Sequence, residues 1–208
     1  MTELKSSTNK MREVKVEKIV LSVGGTAEQL EKGVKLLKLI TGKTPAKMKS
    51  HKRIPAFGVR PNLEVGAVVT IREEPIEMLK RMLTAIENRL RTKQISTNNF
   101  SFGIKEYIEI PGMDYQRDIG IRGLDVTVVF KRAGRRVGQK KAKKGKVPAR
   151  QKISRDEIIK FMKDNFQTEF RWNQIKDFHS FVKSEMEDLP NDSIRLEKNN
   201  KAVEEQTS

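Results

Sequence analysis

The chain has no cysteine, so neither a disulfide framework nor a thiolate-held metal is open to it. Histidine occurs twice, at His51 and His179, too few and too far apart in sequence to suggest a metal site. Aromatic residues make up only 6% of the chain, which argues against single-stranded bases stacked on interleaved rings as the main binding mode. No apolar run approaches the roughly 18 residues that a spanning helix needs, so no bilayer crossing is expected. The opening MTELKSSTNK has no apolar centre and does not read as a signal peptide. Enzyme centres are missing too. No Ser-His-Asp or Cys-His arrangement comes with a nucleophile elbow. Gly134-Arg135-Arg136-Val137-Gly138-Gln139-Lys140 has the wrong spacing for a phosphate-binding GxxxxGK loop. Glu73-Glu74 precedes Pro75 at a helix start, where acids favour the helix dipole. We therefore expect no catalytic residues, no metal and no cofactor.

What the chain does have is positive charge. Lysine and arginine number 43 against 27 acids in 208 residues, a net charge of +16. That balance says nothing about fold but predicts association with polyanions, nucleic acid first, with an anionic membrane surface as the rival. With 36% hydrophobic residues a core is possible, under a heavily charged surface.

The charge is concentrated. Ile40 to Arg60 holds Lys43, Lys47, Lys49, Lys52, Arg53 and Arg60 and no acid, and Pro45, Pro55 and Gly58 interrupt it. Apolar runs flank it on both sides, so it reads as a basic loop fixed to a packed scaffold. We expect Phe57, Gly58 and Val59 to fold back and anchor its base. A second block, Lys131 to Lys152, holds eleven basic residues and no acid, among them Arg132, Arg135, Arg136, Lys140, Lys141, Lys143, Lys144 and Lys146. Such a block repels itself and is expected to be extended until a polyanion neutralises it.

Taken in order, residues 1–13 read as a mobile arm and 14–170 as one domain. The remainder, 171–208, reads as a helix from Trp172 to about Glu187, then a disordered tail after Pro190. Val14 to Val23 alternates as a strand ended by Gly24-Gly25. That turn could cradle a phosphate or be a plain strand-to-helix turn. Thr26 with Gln29 predicts a capping box for a helix to Ile40 with Leu30, Val34 and Leu37 inward. A short strand is expected near Ala46 to Ser50, and further strands over Ala67 to Arg72, Phe102 to Ile110 and Leu124 to Lys131. A helix from Pro75 to about Leu90 is expected between them. Ser154 with Glu157 predicts a second capping box and a last helix.

Helices separated by adjacent strands point to an α+β fold, with an antiparallel or mixed sheet carrying helices on one face and open on the other. Alternation assigns polar residues to the open face: Lys18, Ser22, Thr70, Arg72, Lys105, Tyr107 and Thr127. Cations and small hydroxyls on several strands suit a structured RNA recognised by its backbone and shape.

Several stretches resemble the universal large-subunit ribosomal protein L-five family. They are Ile40-Thr41-Gly42-Lys43-Thr44-Pro45, Lys52, Phe57-Gly58-Val59-Arg60, Lys18 to Gly24, Val69 to Arg72, Phe102 to Glu106 and Ile121 to Val126. The resemblance runs from about Val16 to Phe166, in the family's order. Pro111-Gly112-Met113-Asp114-Tyr115 and the long basic block look archaeal or eukaryotic. The resemblance implies an α+β protein of the cytoplasmic ribosome, in the central protuberance of the large subunit. It implies 5S rRNA contacts at Lys18, Ser22, Lys43, Thr70 and Arg72. It implies that the loop carrying Lys49, Ser50, His51, Lys52, Arg53 and Arg60 approaches P-site tRNA. Large-subunit rRNA, neighbouring large-subunit proteins and a small-subunit head protein complete the implied partners, with the basic block assigned to rRNA. Two readings from other classes remain: a free regulatory RNA-binding protein, which would be absent from purified ribosomes, and an RNA-modifying enzyme, which would need a cofactor pocket that the sequence does not show.

Overall fold

The computed structural model describes residues 11–171. The expected arm lies outside them as far as position 10, and so do the tail helix from Trp172 and the segment after Pro190. The elements are β1 (Lys15–Gly24), α1 (Ala27–Thr41), β2 (Ala46–Lys49), β3 (Glu64–Ile71), α2 (Pro75–Thr84) and β4 (Arg89–Arg91). Then follow β5 (Ile95–Ser96), β6 (Asn99–Ile104), β7 (Leu124–Lys131), α3 (Arg136–Gln139), α4 (Arg155–Phe166) and β8 (Glu169–Arg171). Six strands form one antiparallel sheet in the order β2-β3-β1-β7-β6-β5. β4 and β8 pair in parallel as a separate ribbon. The fold is α+β.

Strand alternation builds the core. Ile19, Leu21 and Val23 of β1 lie beside Ile71, Val69 and Ala67 of β3, all buried. On the other side Val126 and Val128 of β7 continue the layer to Phe102 and Phe100 of β6. A bulge between Val16 and Lys18 shifts the register against β7. It explains why the clean alternation starts only at Lys18, since one extra residue exchanges the faces. α1 covers β1 and β3 with Leu30, Leu36, Leu37 and Ile40, and α2 covers β1 with Leu79, Met82 and Leu83. Phe161 of α4 meets Phe130 edge-on at 5.5 Å, closing the layer. Each fully buried aliphatic side chain here contributes about 1.5–3 kcal/mol.

Four local expectations need correction. Thr26 caps α1 by position, but its side chain makes no capping bond: Ala27 takes a positive φ of 47°, and the Gln29 N–H donates to the Thr26 backbone carbonyl instead. α2 ends at Thr84, not Leu90. Glu87 and Asn88 both have positive φ and reverse the chain, and Leu90 stays buried as the central residue of β4. β6 stops at Ile104, and Tyr107 sits fully buried in a helical turn of residues 107–109, so it is not on the open face. Its hydroxyl accepts from the Gln116 N–H at 2.7 Å. Within α1 the inward set is Leu30, Leu36, Leu37 and Ile40, with Val34 only half-buried. The Ser154–Glu157 capping box forms as expected.

Candidate nucleic-acid interface

The face of the sheet turned away from α1 and α2 has no buried residue on its central strands. The register arranges it in rows across the strands. One row runs Thr70, Val20, Thr127, Ser101, with the last two hydroxyls 3.0 Å apart. The next runs Ala46, Val68, Ser22, Asp125, Gly103, and a third carries Lys18, Val129 and Asn99. Lys18, Ser22, Thr70 and Thr127 therefore share one accessible surface, as alternation predicts. Ser101 and Asn99 belong there too. They escape a sequence reading that starts the strand at Phe102, although Asn99-Phe100-Ser101-Phe102 alternates. Arg72 is exposed just past the end of β3.

Lys43 stands at the rim beyond Gly42, which caps α1 by donating to the Lys38 carbonyl. It is paired with Glu73 at 2.8 Å. That hydrogen bond, helped by the lysine charge, holds the Glu73 carboxyl below its usual range. In the same way Glu64 raises Lys47, its hydrogen bond acting first and its charge second. Both pairs are solvated, so a phosphate competes with each carboxylate at little cost.

The loop between β2 and β3 is a hairpin. Ser50 N–H donates to Leu63 O at 2.8 Å, and Asn62 N–H to Ser50 O at 2.8 Å. Beyond them Ile54 and Val59 exchange both backbone bonds across a turn of residues 55–57 closed by Gly58. The hydroxyl of Ser50 bonds to the backbone of Lys52, so it shapes the loop rather than facing outward. Lys49, His51, Lys52, Arg53 and Arg60 are exposed. The anchor is Val59 alone: Phe57 is 76% exposed and does not fold back.

The basic block is not one extended run. Arg132 pairs with Glu157 and donates to the Arg150 carbonyl at 2.9 Å, so it ties both feet of the block to the start of α4. Arg135 is half-buried and donates to Phe130 O. Gly145 N–H donates to Val137 O, closing a loop over 138–144. Arg136, Lys140, Lys141, Lys143, Lys144 and Lys146 remain exposed. Placement follows from the ladder. Gly24 lies beside Gly66, next to the hairpin, whereas Lys15 lies beside Lys131, where the block begins. The ten residues of β1 separate the two, about 30 Å at roughly 3.3 Å per residue.

Residues 9–60 match a family model described as Ribosomal protein L5, and residues 64–161 match the model for the C-terminus of the same ribosomal family. The large ribosomal subunit protein uL5 of Methanoculleus marisnigri is 39% identical over 163 residues, covering 76% of this chain and 98% of the relative. That of Nanoarchaeum equitans is 37% identical over 158 residues, covering 74% and 94%. That of Sulfolobus acidocaldarius is 38% identical over 162 residues, covering 76% and 91%. The chain belongs to the uL5 family. It is thus a ribosomal protein of the large subunit, a structural component and not an enzyme, of the cytoplasmic ribosome.

Among uL5-like features, the stretch Ile121 to Val126 has a structural reason. A Cβ on Gly123 would lie 2.7 Å from the carbonyl oxygens of both Ile104 and Lys105, so only glycine lets β7 start beside the end of β6. Arg122 donates to the Gln29 carbonyl and links this corner to the first turn of α1. Its neighbours in sequence give no sign of that contact.

Proposed function

We propose that this uL5 family member binds 5S rRNA through the open sheet face. The observation that carries this is the surface that Lys18, Ser22, Thr70, Thr127 and Ser101 share on the sheet face turned away from the buried strand residues. Short hydroxyls on a rigid sheet can bond phosphates and 2′-hydroxyls without reading sequence, which suits a folded RNA. Lys43 and Arg72 at the rim supply charge. The hairpin bearing Lys49, Ser50, His51, Lys52, Arg53 and Arg60 approaches P-site tRNA, and the exposed cations of the block from Arg136 to Lys146 engage large-subunit rRNA. Their position at opposite ends of β1 supports separate RNA partners. One surface suits protein instead. Ile108, Tyr115 and Ile121 are exposed in a segment where Glu106, Glu109, Asp114 and Asp118 outnumber Lys105, Arg117 and Arg122 by one, in a chain that is otherwise strongly basic. Carboxylates repel RNA but attract a basic ribosomal protein, and this loop is our candidate contact with the small-subunit head or a large-subunit neighbour.

Replacing both Thr70 and Arg72 with alanine should lower 5S rRNA affinity, the arginine alone costing about 1.5–3 kcal/mol if it bonds a phosphate. A filter-binding titration of the full chain reads this. Unchanged affinity in the folded double variant rules out the sheet face as the 5S site.

A further inference from the structure

A cleft of about 330 Å³ lies where the hairpin meets the first turn of α1. Ile54, Phe57, Val59 and Val65 form its apolar wall, and Thr26, Gln29 and Ser50 its polar wall. We propose that this cleft receives one unpaired nucleotide of ribosomal RNA, its base lying against Phe57. The inference rests on the reading of the protein as an RNA-binding ribosomal component and adds a site centred on Phe57, Thr26 and Gln29, which no assignment above includes.

Four observations carry it. Phe57 is held out at 76% exposure by the tight turn of residues 55–57 and the Ile54–Val59 bridge, although the chain has only 6% aromatic residues. A rigid ring presented to solvent beside a cleft is a stacking platform, and every base has a face for it. The volume is at the low end of small-ligand sites, which run from about 300 Å³ upward, and an α-helix about 10 Å across does not fit. The polar wall has free capacity, since Thr26 makes no side-chain capping bond. Its hydroxyl and the Gln29 amide can meet the edge of a base. The charge around the cleft favours RNA. No acid lines it, Arg122 reaches the Gln29 carbonyl at its side, and Lys52, Arg53 and Arg60 are exposed on the same hairpin. Glu28 and Glu64, the nearest acids in sequence, are paired with Lys32 at 2.8 Å and with Lys47 at 2.9 Å. An apolar side chain of a neighbouring protein is the rival occupant, and it would gain nothing from the exposed cations of this hairpin.

The experiment uses large subunits reconstituted with the full chain as wild type, Phe57→Ala or Phe57→Tyr. Their RNA is probed with dimethyl sulfate and a carbodiimide, which together report on all four bases. One unpaired nucleotide should be protected with the wild type, rise about tenfold or more in reactivity with Phe57→Ala, and return to protection with Phe57→Tyr. Protections owed to the sheet face should persist throughout. If no nucleotide responds to Phe57→Ala while those protections remain, the cleft does not hold a base and this inference alone fails. If the sheet-face protections are missing with the wild type as well, the underlying RNA-binding reading fails. Should Phe57→Ala stay out of subunits, the same probing is done on the full chain bound to deproteinised ribosomal RNA, and a lack of response there overturns the proposal equally. A photo-crosslinker placed at position 57 that joins only to protein overturns it in favour of the rival occupant.

Discussion

Gly58 and Gly123 are glycines for different reasons, and substitution separates them. Gly58 has φ 64° with nothing within 4 Å of a built Cβ, so alanine there meets only backbone strain. We expect Gly58→Ala to cost about 1 kcal/mol, the usual penalty for a left-handed residue with a Cβ. Gly123 has an ordinary φ, but its Cβ would press on two backbone oxygens, which cannot rotate away as a side chain can. Gly123→Ala should cost about 1–3 kcal/mol or more, with the β6–β7 corner displaced. Urea titration of both variants checks the order, and a costlier Gly58→Ala contradicts it. Neither role is visible in a motif match. The match locates the glycine, and only the packing tells which atom excludes a side chain.

At the scale of elements, α4 and the hairpin show how local signals fared. The Ser154–Glu157 box was legible because both its bonds lie within four consecutive residues. Ser154→Ala should destabilise the fold by about 1 kcal/mol in thermal or urea unfolding. Glu157 also receives Arg132, so removing the acid should cost more than removing the serine. The hairpin is the opposite case. Its basic composition was evident, but the Ile54–Val59 bridge that turns Phe57 outward depends on backbone pairing over the turn. If its cations serve P-site tRNA, changing Lys52 and Arg53 to alanine leaves 5S affinity and subunit assembly near wild type and weakens tRNA retention in assembled ribosomes. Failure of that variant to enter the subunit would make the hairpin an assembly contact instead.

For the whole molecule the relevant quantity is how its +16 charge is distributed. Paired cations such as Arg132 with Glu157 are already neutralised within the fold, whereas the loop over 138–144 is stripped of acids and projects from the sheet end opposite the hairpin. Deleting Gly134 to Gly145 removes Arg135, Arg136, Lys140, Lys141, Lys143 and Lys144 and leaves the tie between Arg132 and Arg150. If that loop holds rRNA, the slope of log affinity against log salt should fall by about 0.7–0.9 for each phosphate that the loop neutralises. An unchanged slope would make the loop a solvated excursion that touches no RNA.

The sequence alone determined the alternation of β1, β3 and β7, the inward placing of Leu30 and Leu37 on α1, the cap of α4, the place of Lys18, Ser22, Thr70 and Thr127 on one face and the two basic stretches. These depend on period, composition and short-range capping, which act within a few residues. Tertiary structure decided the rest. It took Leu90 out of α2 and into β4, buried Tyr107 in a turn, committed Arg132 to Glu157 and left Phe57 in solvent. It also set the hairpin and the basic block at opposite ends of one strand. Such outcomes depend on which partners the folded chain brings together, as with Arg132 and Glu157, 25 residues apart, and no short-range pattern in the sequence settles them.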